Sequence, residues 1–125
     1  MNIRRQSNRG TGVASLRAGF TLVEIMIVVA IIGLLASIAI PNFVKARTQA
    51  QTTACVNNLR QIQGAIETWA LEMKKGPNDP VTDADLFGPA LYIKQKPECP
   101  AGGTYTITTV SAPPTCSVGG THVLP

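Results

Sequence analysis

Few residues in this chain of 125 carry side chains that could do chemistry, and the most conspicuous is Glu24. It is a lone carboxylate inside the run Phe20–Ile40, whose only other polar members are Thr21 and Ser37. A charge at the centre of a membrane span costs about 2.5–3.5 kcal/mol, and less near an end. Its presence therefore implies a cation held in the same low-dielectric layer. If the chain is cut between Gly19 and Phe20, the new α-amine is such a cation, a short step along the chain from Glu24. Within one subunit that amine balances the charge. Between axially offset subunits the same pair would set register among otherwise featureless apolar helices.

The other reactive groups are three cysteines, Cys55, Cys99 and Cys116, and one histidine, His122. Their odd number leaves at least one thiol free or paired between chains. Their presence suits an oxidising compartment beyond a membrane. No C-x-x-C occurs, so no zinc-motif spacing is present, and neither metal nor cofactor is expected. His122 reads as a surface or edge-strand residue, and Cys55 as a small inert core residue. Asp79, Asp83 and Asp85 share a loop, where turn and cap duty explains them better than the six or more oxygens calcium needs. Nothing forms a nucleophile–base pair or a phosphate loop, which argues against an enzyme.

Charge is distributed unevenly. Of the 11 Lys and Arg, Arg4, Arg5, Arg9 and Arg17 precede Phe20, where there is no acid. The remainder is formally neutral, so a nucleic-acid partner is not expected, and Lys74-Lys75 and Lys94-Lys96 read as solvated faces. Arginines beside an apolar segment predict that this end stays in the cytoplasm while the C-terminus crosses, giving a single-pass protein of the cytoplasmic membrane.

These groups must be positioned by few elements. Residues 1–19 are polar and lack periodicity, and read as a leader. Residues 20–41 form an apolar helix, of which Phe20–Ile40 is about 31 Å long and matches a bilayer core. Pro41 would ordinarily end a helix, yet Leu59, Ile62, Ile66, Trp69 and Met73 follow at alternating steps of three and four, a helical seam that extends back to Cys55. One helix over Phe20–Lys75, bent at Pro41 and stopped by Gly76-Pro77, is expected. Residues 42–125 then comprise the amphipathic half-helix and a small globular part. In it, Thr82 with Asp85 is a capping-box variant predicting a turn through Leu86-Phe87. Leu91, Tyr92 and Ile93 should pack on the seam. Thr104–Val110 reads as the best strand, and Ser117–Leu124 as its partner through Gly119-Gly120. The fold class is α+β: a long N-terminal helix on a small antiparallel sheet.

Gly19-Phe20-Thr21-Leu22-Val23-Glu24, after a basic leader and before an unbroken apolar run, resembles the class III signal of type IV pilins and type II secretion pseudopilins. That resemblance implies cleavage between Gly19 and Phe20 by a prepilin peptidase, with N-methylation of Phe20. It implies assembly through Glu24, beside Thr21, and a helix kink in the zone bracketed by Gly33 and Pro41. Its implied partners are the peptidase, identical or related subunits, an inner-membrane assembly platform, and the lipid bilayer before assembly. The filament would be periplasmic or on the cell surface. The C-terminal half departs from the major pseudopilin pattern: Lys96-Pro97-Glu98-Cys99-Pro100 stands where that family carries an Asp-Pro-Trp stretch and an acidic calcium loop. A Cys99–Cys116 bridge would be reminiscent of the C-terminal disulfide loop of many pilins and worth about 3 kcal/mol in the chain-entropy model. It is the favoured pairing, with pairings through Cys55 as the rivals.

Two other functions fit parts of the sequence. Ser37-Ile38-Ala39 offers a small-x-small site for conventional signal peptidase, which would make this a signal-anchored extracytoplasmic binding domain, but then Glu24 has no purpose. A DNA-uptake pilin predicts salt-sensitive DNA retention, against which the neutral charge after residue 19 stands.

Overall fold

The computed structural model describes Gly10, Gly12 and residues 19–125; the arginine-rich part of the leader lies outside them. Helix α1 (Leu22–Glu72) is followed by a short helix α2 (Asp83–Leu86) and by strands β1 (Tyr105–Thr106) and β2 (Thr115–Cys116). The chain divides into two compact units between Ile38 and Ala39.

In the first unit, α1 is apolar and exposed all round: Leu22, Val23, Ile25, Met26 and their successors to Ile38 are solvent-accessible. Its composition and length suffice to cross a membrane. In the second unit, α1 continues through Pro41, which has no N–H to offer the preceding turn. Several hydroxyls along α1 donate back to carbonyls one turn earlier, among them Thr48 to Val44 and Thr52 to Thr48.

The seam then turns inward. Cys55, Leu59, Ile62, Ala65, Ile66, Trp69 and Ala70 are buried against Val81, Leu86, Ile93, Cys99, Tyr105 and Cys116. One expected member fails: Met73 is 56% exposed. It lies past the last helical residue, where the chain has already begun to reverse. The reversal comes earlier than Gly76-Pro77. Lys74 takes the left-handed conformation (φ 52°), Lys75 N–H bonds the Ala70 carbonyl at 2.9 Å and Lys74 N–H bonds Leu71 at 3.4 Å. That pattern is a Schellman cap with lysine where glycine is usual.

The loop follows expectation at its cap. Asp85 accepts the Thr82 N–H at 2.9 Å and its hydroxyl at 2.6 Å, opening α2. Ile93 is buried and Tyr92 partly so, its hydroxyl bonding Glu72, but Leu91 is exposed. The sheet is smaller than the sequence predicts. Only Tyr105–Thr106 pairs, antiparallel with Thr115–Cys116 in the register Tyr105↔Cys116 and Thr106↔Thr115. The expected partner at 117–124 is turns instead: Gly119 and Gly120 both have positive φ, and they reverse the chain rather than extend it. Beyond Thr106 the strand character of the sequence is spent on a single bridge, Thr109 to Pro80. The α+β class holds, with the C-terminal half of α1 packed on a two-stranded sheet.

Candidate functional site

Two groups of side chains stand out. At the head of α1, Thr21 caps the helix: its hydroxyl accepts the Glu24 N–H at 3.2 Å, while the Glu24 carboxylate accepts the Thr21 N–H at 3.0 Å. This is a reciprocal capping box, T-x-x-E, which satisfies two of the amides that a helix start leaves unpaired. It also places a negative charge at the positive end of the helix dipole. Sequence reading missed it at Glu24, although the same signature was legible at Thr82 and Asp85. Gly19 and Phe20 lie just outside the helix and are exposed; Gly33 and Pro41 lie within it.

The second group lies in the globular unit. Cys55 projects from α1, Cys99 from the loop before β1, Cys116 from β2, and His122 from the tail. Their three sulfurs and one ring nitrogen all lie within 4.8 Å of one another, and all four residues are buried. This overturns the placement of His122 at the surface, since only 7% of it is exposed. Cys55 is a core residue as expected, and it also faces the other two thiols. The three thiols are free, so the favoured Cys99–Cys116 pairing is not shown. Spacing gives no hint of the gathering, because each residue comes from a different element.

The cluster is furnished with donors. Burial acts most strongly on Cys55 and pushes its thiol up, while the neighbouring Tyr105 hydroxyl pulls it the other way. Burial also opposes ionisation of Cys99, but the amides of Ala101 and Gly103 and the two neighbouring thiols outweigh it and pull that thiol down. Tyr105 is held well above the ordinary phenol range, first by burial. Its oxygen accepts from Asn58 Nδ2 at 3.0 Å.

The loop acids are each engaged in local structure. Asp79 accepts the Gly76 N–H at 2.7 Å, Asp83 pairs with Lys96 at 2.6 Å and Asp85 caps α2.

Comparison with known proteins starts at the N-terminal segment. Residues 15–40 match the family model described as the prokaryotic N-terminal methylation motif. The type IV major fimbrial protein FimA of Dichelobacter nodosus is 48% identical over 62 residues, covering 50% of this chain and 40% of that protein. The type II secretion system core protein G of Klebsiella pneumoniae is 30% identical over 101 residues, 71% of this chain and 72% of the relative. The chain belongs to the type IV pilin and pseudopilin family. A second core protein G, from Escherichia coli, is 30% identical over 101 residues and 70% of its length. Against the fimbrial pilins the chain spans about two fifths of their length. No solved structure matches. The capping box therefore lies within the motif that this pilin-family chain shares with its relatives, whereas the Cys–His cluster lies wholly outside it.

Proposed function

We propose that the chain is a structural subunit of a type IV pilus-like filament, of the type II secretion pseudopilin or small-pilin kind. Family membership supports this, and the family is one of structural subunits. The observation that carries the reading is the head of α1: a capped carboxylate, Glu24, on a helix whose apolar side chains from Leu22 to Ile38 are exposed on every face. Such a surface is not stable in water. Lipid covers it first, and the helices of neighbouring subunits cover it after extraction from the membrane.

The capping box gives Glu24 an occupation in each setting. In the bilayer its carboxylate is satisfied within the chain by the Thr21 amide. A prepilin peptidase cuts between Gly19 and Phe20 and methylates Phe20, which puts an α-amine directly before that amide. In the filament Glu24 pairs with this amine on a neighbour, and the bend zone at Gly33 and Pro41 lets the helix follow the filament axis. An inner-membrane platform drives the extraction.

The test is the mass of the mature N-terminus, measured by peptide mass spectrometry on the membrane fraction. N-methyl-phenylalanine from residue 20 is expected. A start at Ile40, as signal peptidase would leave, or an intact Met1 would overturn the proposal.

A further inference from the structure

The geometry points to a structural metal site: Cys55, Cys99, Cys116 and His122 together hold one zinc ion in a closed tetrahedral Cys3His shell. Zinc takes sulfur at about 2.3 Å and imidazole nitrogen at about 2.0–2.1 Å, so a tetrahedral sulfur–nitrogen edge is about 3.6 Å. The Cys99 Sγ to His122 Nδ1 separation is 3.7 Å. No pair in the cluster exceeds 4.8 Å, so closing onto a metal requires contraction of about 1 Å at most. Three sulfurs and one imidazole are the donor set that selects zinc over magnesium or calcium.

The surroundings are those of a ligand shell. The Thr52 hydroxyl donates to the Thr48 carbonyl at 3.1 Å, so its oxygen is left to accept from His122 Nε2 at 3.3 Å. This fixes the proton on Nε2 and leaves the Nδ1 lone pair facing the sulfurs, the outer-shell arrangement that orients a metal-binding histidine. Three thiolates around a divalent ion leave one negative charge. The Tyr105 hydroxyl, whose oxygen already accepts from Asn58 and so keeps its proton free to donate, lies beside the cluster to meet it. The backbone makes room as well. A Cβ on Gly103 would sit 2.7 Å from Cys116 Sγ, and Gly102 turns the loop at φ 85°. As the ion binds, the three thiols release their protons to the buffer.

A disulfide would use two of these residues and leave a third thiol and an imidazole buried beside it. The metal uses all four. It also ties helix, loop, strand and tail together in a unit whose strands are two residues each, where a small core commonly needs a staple. With four protein ligands, all buried, no position is open for catalysis, and the role is structural. The site does not depend on filament assembly.

The experiment uses the full chain purified in detergent micelles without added chelator. Elemental analysis is expected to give one zinc per chain, with all three thiols resistant to alkylation until a chelator strips the metal. Cobalt exchange should give thiolate-to-metal charge transfer and tetrahedral d–d bands. His122→Cys should keep one metal with a shifted cobalt spectrum, and Thr52→Val should weaken zinc binding by about 10–100-fold. A folded chain that carries less than stoichiometric metal and takes up none overturns the site, as does a disulfide involving any of the three cysteines in non-reducing peptide maps.

Discussion

The capping box makes the role of Glu24 separable by substitution. Glu24 has two tasks in the proposed mechanism: it accepts the Thr21 N–H in the same chain, and its charge pairs with the amine of a neighbour. Glu24→Gln keeps an acceptor oxygen at the same reach and removes only the charge. Glu24→Ala removes both. Loss of the cap costs about 1 kcal/mol of helix stability, felt at the exposed first turn, and should leave membrane insertion intact or improved because a charge leaves the apolar layer. Loss of a buried partner charge in the filament costs about 3–5 kcal/mol, at least a hundredfold in the association constant of each subunit. Both variants should therefore accumulate as processed, membrane-resident subunits that do not enter filaments, measured by shearing and sedimentation of filaments against the membrane pool. Glu24→Gln is the decisive one. If it assembles like the parent while Glu24→Ala does not, Glu24 is a helix cap and its charge is irrelevant to assembly.

Three further predictions concern the globular unit. Lys74→Gly relieves a left-handed residue that carries a Cβ and should stabilise by about 0.5–1 kcal/mol, seen as a higher urea midpoint with an unchanged slope. Ile62→Ala empties a fully buried position at the centre of the seam and should cost about 2–5 kcal/mol; a loss under 1 kcal/mol would mean the core is loosely packed there. The Thr82 hydroxyl and amide hold the Asp85 carboxyl below its usual range. Its stabilising contribution is thus complete above the unfolded value near pH 3.9 and fades as pH falls through the lower folded value. Asp85→Asn should lower the unfolding midpoint at pH 7 and flatten its decline in acid, and an unchanged acid limb would refute the cap's part in it.

What the sequence made legible was local. The helical seam and the cap at Thr82 are patterns spanning a few turns, and such patterns report on their own backbone. Cys55, Leu59, Ile62, Ile66 and Trp69 are buried as their spacing requires. Met73 continues the spacing but not the helix, because the Schellman reversal at Lys74 intervenes and the sequence there carries no glycine at the left-handed position. The strand at Thr104–Val110 was overextended because β-branched residues suit any extended segment, while pairing needs a partner in register, and only Thr115–Cys116 supplies one. The thiol–imidazole cluster was invisible for the same reason. Its members sit on four elements, and only the tertiary fold makes them neighbours.

The order of those four residues along the chain has a kinetic consequence. Cys55, Cys99 and Cys116 all emerge before His122 during synthesis or any passage across a membrane. For that interval the thiols are gathered, or gatherable, with the imidazole still absent, and the exposed seam awaits its cover. Oxidation to a disulfide and closure of the four-residue shell are then competing fates of one intermediate. The winner depends on how quickly the tail follows and on how oxidising the receiving compartment is. The turn at His122, held against Thr52, acts as a latch that has to close before oxidation reaches the three thiols.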